Sequence, residues 1–184
     1  MAAAVGIGSA AAFALAALLL GAFFATSDRR LDRLAEWCFV VFAALAVALA
    51  VLVQQRLGPV SEVAIFVTAI GIAGVILVGL LELLSTLGRI DFQRYGVFGA
   101  IGFAGWLAWI AGVSVMALAT ATLPVALGWL GLATVAAGLV VVGRFAADRG
   151  LIRGERSPGL GEMAPLFGVF LAIVAWLIWL GVSL

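Results

Sequence analysis

Six stretches of about 20 almost wholly apolar residues recur along the chain, each parted from the next by a short polar segment. A helix rising 1.5 Å per residue needs about that length to cross roughly 30 Å of hydrocarbon. Inside a bilayer no water competes for main-chain hydrogen bonds, so each run must satisfy its own, which an α-helix does. The expected fold is an all-α integral membrane protein, a bundle of six transmembrane helices. The spans fall at about residues 2–25, 36–53, 63–87, 95–118, 125–145 and 163–184, and no soluble domain is left over.

Composition agrees and narrows the chemistry. Hydrophobic residues make up 66% of the 184, against about 45–50% in soluble domains. All ten basic residues are arginine, and the chain has no histidine and no lysine. Without histidine there is no imidazole to ligate haem, chlorophyll or zinc and no Ser-His dyad. Without lysine no Schiff base forms. The single cysteine, Cys38, excludes an intrachain disulfide or a CxxC pair and reads as a small buried side chain. No cofactor is implied, although a bound lipid, quinone or carotenoid is compatible with the composition.

The polar segments carry the topology. The first run has no basic residue before Asp28, so it reads as a retained span rather than a signal peptide. In SDRRLDRLAEW, Ser27 or Asp28 is placed to cap a second helix. Gly58 and Pro59 break that helix in QQRLGPVSE, Ser61 caps the third, Pro124 opens the fifth and Pro165 the sixth. Arg29, Arg30, Arg33, Arg89, Arg94, Arg144, Arg149, Arg153 and Arg156 lie in or beside the connections after spans one, three and five. The opposite side has only Arg56, so the positive-inside rule puts both termini on the non-cytoplasmic side of a prokaryotic cell membrane. Two triplets of spans would be related as inverted repeats, but their residues do not match.

Glycine marks where helices meet. In YGVFGAIGFAGWLAWIAG, Gly96, Gly99, Gly102 and Gly105 fall at every third position, and small residues let helices in lipid pack backbone to backbone. This fourth span is expected to be the most crowded. Gly8, Ala12 and Ala16 form a second small-residue stripe on span one.

Glu82 is the one acidic residue well inside an apolar run. A mid-span carboxylate costs about 2.5–3.5 kcal/mol on insertion scales and less near the boundary. Helical spacing puts Ser85, Thr86 and Arg89 on its side, making a polar stripe that enters from the arginine-rich end. Two readings stand: a proton or cation site, or a boundary carboxylate satisfied by hydroxyls, arginine or water. A transporter needs a second polar group facing it, for which Thr68, Ser114, Thr120 and Thr134 are the candidates.

Trp106 and Trp109 lie mid-span, where an indole needs an acceptor, and so either line a cavity for a lipid, quinone or pigment tail or fill gaps left by glycines. Trp37, Trp129, Trp176 and Trp179 sit nearer span ends and read as an interfacial belt. Arg144, Arg149, Arg153 and Arg156 suit anionic headgroups or an acidic partner loop, or simply fix topology. GLGE at 159–162 is too short for a phosphate loop, and nothing implies a nucleic-acid partner.

The stretch LPVALGWLGLATVAAGLVVVG, Leu123 to Gly143, resembles the helix opening of a widespread group of small bacterial multi-span membrane proteins of unknown function. The resemblance implies a further membrane span and carries over no site residues.

Taken together, the residues point to a non-catalytic membrane protein acting by packing, an accessory or scaffold subunit whose partners are the lipid bilayer and other membrane subunits. The alternative is a small transporter or channel with Glu82 as its proton or cation site.

Overall fold

The computed structural model describes residues 1–57, 62–90, 92–148 and 160–184, with the side chains at 92–97, 145–146, 160 and 162 left aside. Among them are six helices, α1 Ala2–Thr26, α2 Arg29–Leu57, α3 Glu62–Thr86, α4 Phe92–Thr120, α5 Val125–Ala147 and α6 Leu160–Ser183. Each is long and apolar enough to cross a membrane.

The ends are set by local chemistry. Ser27 closes α1 in the left-handed region at φ 57°, and the Arg30 amide donates to the Asp28 carboxylate at 2.9 Å. Asp28 is therefore the cap, and α2 starts at Arg29, several residues before the apolar run. Gly88, at φ 66°, ends α3: its amide donates to the Ser85 carbonyl and that of Arg89 to the Leu84 carbonyl, both at 2.8 Å. This pair of bonds is a Schellman motif, which needs a residue without Cβ strain at the left-handed position. Pro165 lies inside α6 past its first turn rather than at its start, where it removes one helical hydrogen bond. Gly58, Pro59 and Ser61 lie outside the described residues.

Each helix packs against the next in the chain, and α6 packs back on α1. Short connections make the neighbours antiparallel, so the bundle is a closed ring. One end holds both termini and the 120–125 connection; the other holds the turns at 26–29 and 86–90.

In lipid the tails are as apolar as leucine, so the ring is held by close approach rather than by escape from water. At the α1/α6 seam a Cβ on Gly181 would lie 2.7 Å from the Gly6 Cα. At the α3/α4 seam a Cβ on Gly74 would lie 2.6 Å from the Gly102 carbonyl oxygen and 3.1 Å from the Gly105 carbonyl carbon. Gly102 and Gly105 thus form the contact expected of the fourth span. Half of the α4 membrane-length window is buried (50%), against 28–39% in the other helices, though α4 is one wall of a ring rather than its axis. The centre belongs to Phe13 of α1, whose ring meets Phe39, Phe42, Trp106 and Phe170 at centroid distances of 4.9–5.9 Å. The Gly8 face of α1 turns to Leu45 of α2.

Candidate functional site

The ring leaves a cavity of about 230 Å³ between its centre and the end that carries the α1/α2 and α3/α4 turns. Helical repeat explains who lines it. Val75, Val78 and Glu82 stand three or four residues apart on α3, Gly99, Phe103 and Trp106 likewise on α4, and Phe39 and Phe42 on α2. Phe13 and Leu20 come from α1, Phe170 from α6, and Ala100 completes the described wall. Aromatic rings and aliphatic groups make up that wall except for one carboxylate, Glu82.

Glu82 is 5% exposed, four residues before the end of α3, hence about 6 Å along the axis from that helix terminus. It is not an isolated group, for it has a polar interaction of its own within the protein. Its expected stripe divides. The Ser85 hydroxyl donates across the helix pair to Glu36 Oε1 on α2 at 2.5 Å. The Thr86 hydroxyl turns back to the main-chain carbonyl of Glu82 at 2.8 Å, leaving the carboxylate to others. Arg89 does not continue the stripe: the left-handed turn at Gly88 takes it off helical spacing and leaves it exposed.

Glu36 is the residue that sequence reasoning missed. It sits three positions before Phe39, so it prolongs the cavity face of α2 toward the bundle end, as Ser85 prolongs that of α3. Their hydrogen bond bridges the two helices one turn beyond Glu82. The spacing Glu36, Phe39, Phe42 was readable, but placing Glu36 on a span boundary hid it.

Trp106, 2% exposed, lines the cavity. Trp109 does not. It packs edge to face on Trp176 with centroids 5.6 Å apart and fills the space over Gly71, whose missing Cβ admits it. Trp176 therefore leaves the interfacial belt: it is fully buried, and Gly131 of α5 makes room for its indole nitrogen beside the Ser114 hydroxyl. Trp37, Trp129 and Trp179 are exposed. The indole nitrogens of Trp106, Trp109 and Trp176 have no acceptor among the described residues.

None of the candidate hydroxyls lies in the described cavity wall. Ser114, Thr120 and Thr134 each donate to the carbonyl four residues back, at 2.6–2.7 Å, and Thr68 is buried in α3. Gly99 lines the cavity, and Gly96 lies among the residues whose surroundings are left aside. Arg144 is exposed on the last turn of α5, and Arg149, Arg153 and Arg156 lie outside the described residues.

Comparison with protein families, with curated proteins and with solved structures gives no match. The chemistry of the site rests on this chain's own residues.

Proposed function

We propose that the chain is a small, non-catalytic membrane transporter in which Glu82 is the proton or cation site of an intramembrane cavity. The observation that carries the reading is that cavity: among the described residues, one buried carboxylate in an otherwise apolar, largely aromatic wall. A carboxylate at such depth costs stability, and intramembrane ionisable groups mark ion or substrate paths when they face a cavity. Glu36, hydrogen-bonded to Ser85 one turn nearer the bundle end, supplies a second acidic group toward solvent.

The alternative is an accessory or scaffold subunit, read from the lack of a catalytic set, the scant extramembrane mass and the small-residue stripes. Of those small residues, Gly6, Gly71, Gly74, Gly102, Gly128 and Gly181 face other helices of this same chain. Gly143, Gly161 and Gly168 have open space beside them.

The arginine distribution supports a prokaryotic cell membrane with both termini outside, which turns the Glu82 end of the cavity toward the cytoplasm. Flux of protons and monovalent cations in proteoliposomes tests the function. Wild type should conduct or exchange, Glu82→Gln should abolish this with the folded protein still abundant, and Glu82→Asp should retain part. Flux that is absent from the wild type, or unaltered in Glu82→Gln, defeats the proposal.

A further inference from the structure

We infer that the outward face of α2, at the bundle end that holds the 26–29 turn, binds an anionic phospholipid, with Arg30 and Arg33 on its phosphate and Trp37 at the root of its acyl chains. This surface is separate from the cavity and does not depend on what Glu82 does there.

Burial sorts the first turns of α2 by charge. Arg30, Arg33, Leu34, Trp37 and Val41 are all exposed, and steps of three and four residues put them on one side of the helix. The buried residues Ala35, Phe42 and Ala46 mark the opposite side. Both carboxylates of these turns leave the exposed side. Glu36 accepts from Ser85 of α3, and Asp32, four residues before it, is half-buried on the same flank. Arg29 stays close enough to Asp32 for their charges to interact, and Asp28 caps the helix by accepting from the Arg30 amide. Among the described residues neither the Arg30 nor the Arg33 guanidinium has an ion-pair partner. The stretch from Asp28 to Glu36 holds three arginines and three carboxylates and is neutral as a whole, yet the lipid side of its helical turns carries cations alone.

The depth of these groups suits a phospholipid. A headgroup layer is about 5–8 Å thick on each side of a hydrocarbon core of roughly 30 Å. Arg33 precedes Trp37 by four residues and Arg30 by seven, so they stand about 6 and 10 Å above it along the helix. With the indole at the edge of the hydrocarbon, where tryptophan settles, Arg33 falls within the headgroup layer and Arg30 at its outer rim. Their long side chains bring both guanidiniums to one phosphate, whose oxygens match the parallel N–H donors. Below Trp37 the same side continues as Val41, Ala44 and Ala48, all exposed and all apolar. The occupant must therefore join an anionic head to an apolar tail. An acidic peptide arriving from water would meet the arginines and leave the rest of the face unused. A zwitterionic lipid would bring its own ammonium to two guanidiniums, a repulsion that an anionic headgroup avoids.

Competition between two lipids with the same tails provides the test. Native mass spectrometry of the whole chain, released from micelles holding equimolar dioleoylphosphatidylglycerol and dioleoylphosphatidylcholine, counts the lipids that stay bound. The anionic lipid should be retained over the zwitterionic one by at least about fivefold, the advantage of a single well-placed arginine. Arg30→Gln/Arg33→Gln should erase the preference, and Arg30→Lys/Arg33→Lys, which keeps the charge but loses the fork, should retain part of it. These positions are exposed, so thermal unfolding of both variants should match the wild type. Arg89→Gln/Arg144→Gln removes as much charge from the same end of the bundle and should leave the preference intact. Trp37→Ala should weaken retention of both lipids. Glycerol phosphate, a head without tails, should not displace bound lipid at millimolar concentration. The inference is overturned by a wild type without preference, by a preference that survives Arg30→Gln/Arg33→Gln, by an equal loss in Arg89→Gln/Arg144→Gln, or by displacement with glycerol phosphate.

Discussion

Replacing Gly74 by alanine adds a single methyl group where the main chains of α3 and α4 come closest together. The new Cβ would stand 2.6 Å from the Gly102 carbonyl oxygen and 3.0 Å from the Trp106 amide nitrogen. Carbon and carbonyl oxygen are comfortable at about 3.3 Å, so the helices must part by about 0.7 Å, because main-chain atoms have no rotamer to escape into. A gap of about 0.5–1 Å forfeits a quarter to a half of each dispersion contact along the seam. Overpacking of this kind costs about 1–3 kcal/mol, or about 5- to 150-fold in the folded-to-unfolded ratio. Two further alanines calibrate the series. At Gly105 the nearest atom to the added Cβ is 3.2 Å away, calling for a few tenths of an ångström and under about 1 kcal/mol, while at Gly143 nothing lies within 4 Å. Gly143→Ala should be neutral or slightly stabilising, since alanine is the better helix former. Reversible unfolding in mixed micelles, followed by tryptophan fluorescence, gives all three values. Gly74→Ala as stable as the wild type, or no worse than Gly143→Ala, would refute the argument that these main chains nearly touch.

Further expectations follow from other contacts. Ser85→Ala removes the donor to Glu36 and should cost about 1.5–3 kcal/mol in the same unfolding assay, less where water reaches the half-buried carboxylate. Pairing it with Glu36→Gln should recover part of the loss, and strict additivity would mean the two side chains do not interact. Gly71→Ala brings a Cβ against the Cβ and Cγ of Trp109, so it should be harmful alone and relieved by about 0.5–3 kcal/mol when combined with Trp109→Gly, which removes both atoms, while no coupling would place that side chain elsewhere. Cysteines introduced at Ser61 and Ser157 in a Cys38→Ala background report topology. An impermeant reagent applied to intact cells should label the first only, and the reverse pattern would invert the orientation.

The number and rough limits of the helices were legible because hydrocarbon demands long apolar runs, and arginines and prolines mark their interruptions. Their arrangement was not. Soluble helices announce their buried face by periodicity, whereas a span is apolar on its lipid face and its protein face alike. That Gly74 meets Gly102, or Gly6 meets Gly181, depends on helix rotation, which glycine spacing leaves open. Trp176 looked interfacial by its nearness to the C-terminus, but Gly131 offered it a recess. Arg89 was carried along a helical stripe that Gly88 had already ended. Glu82 was conspicuous because a charge stands out against leucine, yet the rings around it come from four other helices and share no local pattern.

Closure of the ring sets an order on biogenesis. The wall of the cavity takes Phe13 from the first helix and Phe170 from the last, and the α1/α6 seam at Gly6 and Gly181 forms only when both are present. At a synthesis rate of about 5–20 residues per second, the 156 positions between those phenylalanines take on the order of ten to thirty seconds to appear. Until α6 follows, the helices already made can form only an open arc. Phe13 then lacks its Phe170 neighbour, and the face of α1 that carries Gly6 has no partner helix. The interior thus closes only when α6 is in place, and a chain truncated before α6 should lack the α1/α6 seam and the Phe170 side of the wall.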